Sequence, residues 1–190
     1  MSTHDDLRDI ALTEFAYAGY AGTSLQRIAE IAGLSKSSVL YHYESKEALL
    51  LAAVGPALDR MEAILDAVGG VLDDTDARRT FIEAFVDLLL EQRLAVHMFI
   101  NQGQSLEDVP VIDRANELVV RLSTFFATSV SSVEDHLRFG IALGGAAYVL
   151  SVKQDDPLAG ENPETAAQVR AALVKILTEL LAPVNVKSQG

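Results

Sequence analysis

Apolar residues recur along the chain at intervals of three and four positions, in one segment after another. Near the N-terminus the series is formed by Leu7, Ile10, Ala11, Phe15 and Ala18. This spacing is typical of one face of an α-helix, whereas a half-buried strand alternates apolar and polar residues. No sustained alternation and no Asn-Gly or Asp-Gly hairpin turn occurs. The pattern therefore predicts an all-α fold with about nine helices.

The first part of the chain contains short helical segments with capping signals. Thr23 opens a Thr-Ser-Leu-Gln capping box, in which Gln26 is expected to reach back to the amide of Thr23. This helix ends at Gly33, and Ser35 is suited to cap a third short helix about two residues later. Two short helices joined by a tight turn that contains glycine predict a helix-turn-helix.

The rest of the chain predicts longer helices. Ser45 is expected to cap a fourth helix, which runs from Lys46 to about residue 68 and contains Pro56, a residue that kinks helices. Further amphipathic segments follow over residues 78–94, 96–100, 110–128, 132–153 and 163–182.

The overall charge is acidic. The 190 residues include 15 Lys and Arg against 27 Asp and Glu, which gives a formal net charge of -12. Taken alone, this excess argues against nucleic-acid binding, which usually requires a basic surface. The stretch from Thr23 to Lys46, however, holds three basic and two acidic side chains. We expect so weak a positive patch to support DNA binding only when a dimer duplicates it.

Several kinds of chemistry find no support in the sequence. There is no cysteine, which excludes disulfides, thiolate metal sites and cysteine nucleophiles. The four histidines have no metal-binding spacing, and no nucleophile elbow or phosphate-binding glycine loop occurs. Glu83, Asp87 and Glu91 share one helix face, which we interpret as a solvated acidic stripe rather than an acid–base pair. We therefore predict no enzymatic activity, no catalytic residue, no metal site and no cofactor.

The sequence also predicts a cytoplasmic protein without membrane contact. The longest uncharged apolar stretch covers residues 139–152 and is shorter than the ~18 residues that a membrane-spanning helix needs. The first residues lack the basic start and apolar run of a signal peptide.

Residues 7–50 carry an ordered series of motifs. These are Gly19-Tyr20 after the first helix, Ile28-Ala29 and Ala32-Gly33 in the second, Ser35-Lys36 and Tyr41-His42-Tyr43 in the third, and Ser45-Lys46-Glu47 at the start of the fourth. The series resembles the DNA-binding domain of the TetR family of transcriptional regulators. The resemblance implies a helix-turn-helix DNA-binding domain over residues 1–50 and a helical ligand-binding and dimerisation domain over residues 51–190.

The resemblance also implies which side chains contact DNA. A recognition helix presents its N-terminal residues to base edges, where lysine and serine are useful donors, while other polar side chains bind phosphates. We expect DNA contacts from Thr23, Ser24, Gln26, Ser35, Lys36, Ser37, Ser38, Tyr41, His42 and Lys46. Leu40 departs from the family, which usually has tyrosine at this position. Tyr43, where phenylalanine is usual, is interpreted as a core residue.

The last two helices are candidates for a dimer interface. The helix that follows Ser132 is apolar on more than one face, so several of its sides must be covered. The resemblance implies a homodimer in which these helices form a four-helix bundle across the two-fold axis. The expected interface residues are Leu137, Ile141, Gly144, Tyr148, Val169, Leu173, Ile176, Leu177 and Leu180. The alternative is that both helices belong to the core of a single chain.

The middle helices should enclose an effector pocket if the resemblance holds. The candidate lining residues are Met61, Phe85, His97, Asn101, Phe125 and Tyr148, although aromatic residues at helical spacing also suit a plain core. His97 and Asn101 lie one helical turn apart and would supply polar anchors in a largely apolar pocket. No basic cluster occurs among these residues, so we expect a neutral or cationic, mainly hydrophobic small molecule.

These observations favour a ligand-responsive transcriptional regulator. The hypothesis is a homodimeric repressor that binds a palindromic double-stranded DNA operator and is released by a small hydrophobic effector. The alternative, which the acidic charge and Leu40 keep open, is a small-molecule-binding or interaction protein whose helix-turn-helix does not engage DNA.

Overall fold

The computed structural model describes residues 3–68, 75–102, 106, 109–129, 132–151 and 163–182. All regular secondary structure within these residues is helical, which confirms the predicted all-α fold. The nine helices described are α1 (Thr3–Ala18), α2 (Leu25–Ile31), α3 (Lys36–His42), α4 (Lys46–Val68), α5 (Thr75–Glu91), α6 (Arg93–Gln102), α7 (Pro110–Ser129), α8 (Val133–Leu150) and α9 (Pro163–Leu180). No described helix is long and apolar enough to cross a membrane.

The chain divides into two compact units. The first comprises Met1–Glu62 with Gln92–Val119, and the second comprises Ala63–Glu91 with Val120–Gly190. Helices α4 and α7 each contribute residues to both units. The predicted functional division near residue 50 stays a prediction.

The first unit is built on the apolar faces of the short N-terminal helices. Leu7 and Phe15 of α1, Ile28 of α2 and Val39 of α3 are all fully buried. Burial of such side chains contributes about 1.5–3 kcal/mol each, which is enough to hold helices too short to be stable alone. In the same unit, Arg114 of α7 donates to Glu62 of α4, at 3.1 Å from Nε and 2.7 Å from Nη2.

In the second unit, α5 packs against α8 and α9. Phe81 is fully buried, and its ring stacks on Phe85 with the centroids 5.8 Å apart. Asp87 of α5 accepts two hydrogen bonds from Arg170 of α9, at 2.5 and 2.8 Å. Asp87 therefore joins α5 to α9, so the predicted acidic stripe is only partly a solvated face.

Candidate nucleic-acid interface

Two serine caps and one glycine turn build the helix-turn-helix. The Ser24 hydroxyl accepts a hydrogen bond from the amide of Arg27 at 3.1 Å and begins α2. Gly33 follows α2 with a φ of +67°, a left-handed conformation that glycine adopts without strain, and the amide of Leu34 donates to the carbonyl of Ala29 at 2.8 Å. The Ser35 hydroxyl then accepts from the amide of Ser38 at 3.1 Å and begins α3. The predicted helix-turn-helix is confirmed.

Helix α3 is anchored by one side and exposed on the other. Val39 is fully buried, whereas Lys36 and Ser37 are exposed and Tyr41 is 87% exposed. Leu40, the departure from the family pattern, also lies on the exposed side. Exposed donors at the start of a short anchored helix have the arrangement that a DNA-reading helix requires.

The serines at the start of α3 form a small hydrogen-bonded cluster. The Ser35 hydroxyl lies 2.8 Å from the hydroxyls of both Ser37 and Ser38. Because hydroxyl groups both donate and accept, these serines can exchange their mutual hydrogen bonds for hydrogen bonds to a base edge or a phosphate oxygen. Ser24 and Gln26 are also exposed, and the Gln26 amide donates to the Glu30 carboxylate at 3.0 Å.

Thr23 is a correction to the predicted contacts and to the predicted cap. Its side chain is only 2% exposed, and its hydroxyl donates to the carbonyls of Gly19 at 2.8 Å and Glu14 at 3.2 Å. Ser24, not Thr23, caps α2, and Gln26 does not close a capping box around Thr23. The Thr23 side chain therefore fixes the turn after α1 rather than offering a donor to DNA.

Tyr43 lies in the core, as interpreted from the sequence. Its hydroxyl donates to the backbone carbonyl of His4 at 2.9 Å and lies 3.0 Å from Nδ1 of the same histidine. Burial raises the pKa of Tyr43. His42, half-buried beside this contact, has its ring centroid 6.3 Å from that of His4. Tyr43 thus fastens the start of α1 to the end of α3.

The Lys46 ammonium contacts the ring of Tyr20, and the sequence did not predict this contact. Lys46 is the first residue of α4, and Nζ lies 4.1 Å from the centroid of the Tyr20 ring. Burial lowers the pKa of Lys46, while the neighbouring Glu47 carboxylate acts in the opposite direction. Burial and the Glu47 carboxylate together raise the pKa of Tyr20 to about 12. The Tyr20 phenol therefore stays protonated and uncharged near neutral pH.

Gln102, the last residue of α6, has a role that the sequence did not predict. Its amide nitrogen donates to the carbonyls of Phe15 at 2.7 Å and Ala16 at 2.9 Å, and its amide oxygen accepts from the amide of Tyr20 at 3.0 Å. Gly19, between them, has a φ of +85°. Gln102 thereby satisfies backbone groups that the end of α1 leaves without helical partners.

Few cations near the predicted DNA contacts are available for phosphate. Arg8 pairs with Asp5 and Asp9, and Arg27 pairs with Glu14 at 3.3 Å. Lys36 and Lys46 make no ion pair with any residue that the structure describes within the first fifty positions. The positive charge predicted from the sequence is therefore concentrated on two lysines.

The predicted dimer residues fall into two groups. Several are exposed, and together with Val133 they form what we call the α8–α9 apolar residues: Val133, Leu137, Ile141, Tyr148, Ile176 and Leu180. Gly144 is also exposed, and Leu173 is half-buried. Val169 and Leu177 are buried within the chain, Leu177 being 1% exposed, and this corrects their assignment. The sequence did not predict this burial, because apolar residues surround much of the circumference of α9 and its two sides therefore look alike in the sequence.

The predicted pocket residues are divided between the two units. Met61, His97 and Asn101 belong to the first, where the Asn101 amide donates to the His97 carbonyl at 2.9 Å on their own helix. Phe85 and Phe125 are buried in the second unit. Tyr148 is 61% exposed, so it does not line an interior of its own unit. Neither unit by itself brings these six residues together.

Comparison with known proteins identifies the family. A family model described as bacterial regulatory proteins of the tetR family matches residues 7–53, the segment that contains the helix-turn-helix. Residues 7–53 therefore carry the N-terminal segment of the TetR family.

Individual relatives agree with this assignment. The transcriptional regulator RutR of Escherichia coli is 47% identical over 57 residues, which are 30% of this chain and 27% of RutR. The transcriptional repressor KstR2 of Mycolicibacterium smegmatis is 28% identical over 116 residues, or 59% of this chain and 55% of KstR2. The chain thus matches about a quarter to a half of the length of these relatives.

A solved structure extends the likeness to the whole fold. The crystal structure of AibR with isovaleryl coenzyme A and operator DNA superimposes with a TM-score of 0.66 and 20% identity, covering 93% of this chain and 98% of that one. The helices beyond the matched family segment therefore also follow the fold of TetR-family regulators.

Proposed function

We propose that this TetR-family chain is a ligand-responsive transcriptional repressor, which binds a palindromic operator as a homodimer and is released by a small hydrophobic effector. The observation that carries the proposal is the exposed start of α3, where Lys36 and Ser37 face solvent while Val39 anchors the helix in the core. The helix offers a cation and hydroxyl donors, which suit the donor and acceptor pattern of the major groove.

The α8–α9 apolar residues support the homodimer. Ile141 is 68% exposed and Leu137 is 60% exposed, and both lie on one face of α8. An exposed cluster of large apolar side chains on a globular protein usually marks an interface. A second copy of the chain provides the matching surface, because a two-fold interface uses the same patch on both partners. Such a dimer would bind two operator half-sites one helical turn apart, roughly 34–36 Å.

The effector acts, in this proposal, by shifting a population of dimer conformations. Helix α4 is continuous from Lys46, a proposed phosphate contact, through Met61, a proposed pocket residue. A ligand that binds better to one tilt of α4 would favour dimers whose recognition helices no longer match the half-site spacing. The AibR structure, which holds both isovaleryl coenzyme A and operator DNA, supports this pairing of functions on the same fold.

The proposal is tested by selecting bound duplexes from fragmented genomic DNA with the purified protein, at low and physiological salt. Enrichment of one palindromic sequence that survives physiological salt supports a specific dimeric regulator. A Lys36→Ala variant serves as the matched comparison, and we expect it to lose most of the enrichment.

Failure to enrich any sequence at either salt would contradict the DNA-binding part of the proposal. Mass spectrometry of the denatured sample identifies a preparation that carries a bound inducer, which must be removed before the selection is repeated. A ligand-free sample that still enriches nothing would favour the small-molecule-binding protein with a silent helix-turn-helix.

A further inference from the structure

Tyr20 and Lys46 meet although they lie on different elements. Tyr20 follows α1 and is buried, with its ring centroid 5.2 Å from that of Phe15. Its amide is bound by Gln102 at 3.0 Å, and Gly19 before it adopts a left-handed φ of +85°. Phe15 thus packs against the ring of Tyr20, while α6 and the turn fix the backbone of Tyr20.

Lys46 occupies a position where a cation and a helix end act together. It begins α4, and the Ser45 hydroxyl caps this helix by accepting from the amide of Ala48 at 3.0 Å. A helix N-terminus attracts anions by itself, and an ammonium at the first position adds to that attraction. A free lysine side chain, however, populates many rotamers, and an ordered contact with phosphate loses that freedom.

The Tyr20 ring removes part of this cost. Nζ lies 4.1 Å from the ring centroid, well within the ~6 Å over which an aromatic face attracts a cation. A lysine that already occupies one conformer binds with less loss of freedom than one that must be ordered on binding.

We propose that Tyr20 is a positioning residue for DNA binding, because its ring holds the Lys46 ammonium at the start of α4 and so presets it for a backbone phosphate. This inference rests on the proposed function. Tyr20 itself does not contact DNA, and its effect passes through Lys46 alone.

Removal of the aromatic ring should produce a measurable loss of affinity. Replacement of the ring by an aliphatic side chain, Tyr20→Leu, should weaken operator binding about 2- to 5-fold per subunit, the lower range for a cation–π contact, because the Lys46 side chain is only half-buried. A dimer that uses two such contacts should lose roughly 4- to 25-fold. Tyr20→Phe keeps the aromatic face and should restore most of the affinity.

The experiment is a double-mutant cycle between Tyr20→Leu and Lys46→Gln, with affinity for the selected operator measured by fluorescence anisotropy. If Tyr20 acts through Lys46, Tyr20→Leu should have no further effect in the Lys46→Gln background. Tyr17→Leu is the matched control, since Tyr17 is a tyrosine near the end of α1 whose ring centroid lies 5.7 Å from that of His97. We expect this control to bind the operator like the parent.

The outcomes separate the possible roles. Equal weakening by Tyr20→Leu in both backgrounds would show a purely structural role and overturn the inference, as would a Tyr20→Leu variant that binds like the parent. A parent that binds no duplex would refute the proposed function, and the inference with it.

A measurement on the unaltered chain covers the case in which Tyr20→Leu does not fold. The ring current of Tyr20 should move the Lys46 ε-methylene proton signals upfield in the NMR spectrum of the protein without DNA. Ordinary lysine shifts for Lys46 would overturn the inference without any variant.

Discussion

Gln102 offers the sharpest test of how α6 stabilises the DNA-binding part of the chain. Its amide makes three hydrogen bonds to the backbone of α1 and the following turn, with Phe15, Ala16 and Tyr20. In Gln102→Ala all three are lost at once, and partly buried carbonyl and amide groups are left behind. A net contribution of about 0.5–1.5 kcal/mol for each bond, reduced where water can enter, gives a loss of about 2–3 kcal/mol in the free energy of unfolding.

The neighbouring residue supplies a matched control. Asn101 is exposed, and its amide donates to the His97 carbonyl within the same helix, without reaching α1. Asn101→Ala should therefore change the free energy of unfolding by less than about 0.5 kcal/mol. Gln102→Glu separates hydrogen bonding from side-chain volume, because it keeps the acceptor for Tyr20 but sets a carboxylate against two carbonyls. We expect it to destabilise at least as much as Gln102→Ala.

Thermal and urea unfolding followed by circular dichroism measure these differences. For a chain of 190 residues, a loss of 2–3 kcal/mol corresponds to a decrease in Tm of roughly 4–12 °C. If Gln102→Ala and Asn101→Ala unfold within 1 °C of each other, Gln102 does not hold α1, and the reasoning from its hydrogen bonds is refuted.

Three further predictions concern assembly and DNA. Ile141→Glu should convert the proposed dimer to a monomer in analytical ultracentrifugation, because it would bury a charge in the proposed apolar interface. Val120→Glu, on an exposed residue of α7, should remain dimeric, and a dimeric Ile141→Glu would contradict the proposed interface. Glu47→Gln should tighten operator binding severalfold in anisotropy titrations, because it removes a carboxylate beside Lys46, the proposed phosphate contact. Weaker binding by this variant would argue against phosphate contact by Lys46. Finally, Lys36 and Lys46 of two subunits bring about four cations to the operator, of which Lys46 is the proposed phosphate contact and Lys36 the proposed base contact. The logarithm of the binding constant should therefore fall against the logarithm of salt concentration with a slope no steeper than about -3.6, and a slope steeper than about -6 would mean that cations besides these two lysines bind phosphate.

Local signals in the sequence correctly predicted where α3 and α4 of the DNA-binding part begin. Ser35 and Ser45 cap their helices as expected, since the capping hydroxyl and its target amide lie only three residues apart. The same rule failed by one residue at α2, where Thr23 and Ser24 are both good caps. Ser24 caps the helix because the Thr23 hydroxyl instead donates to the Gly19 carbonyl in the turn after α1. A local pattern carries no information about that partner.

Contacts between distant parts of the chain were not predictable in this way. Gln102 binds α1 backbone more than eighty positions away, and nothing in the sequence around Gln102 marks it as a capping group for another helix. The same is true of Tyr20, whose ring was noted only as part of a motif and not as the partner of Lys46. Periodicity also did not separate the inward Leu177 from the exposed Ile176, because apolar residues surround much of α9.

The acidic charge of the chain and its ion pairs both limit non-specific attraction to DNA. Arg27 is neutralised by Glu14, and Arg8 by two aspartates, so these cations attract phosphate weakly. A net charge of -12 further repels DNA at long range. Non-specific binding, which depends almost entirely on phosphate charge, should therefore be weak. In the proposed complex, Lys36 and the hydroxyls of α3 would contact base edges only on a correct operator. We therefore expect a high ratio of specific to non-specific affinity rather than a high affinity for all DNA.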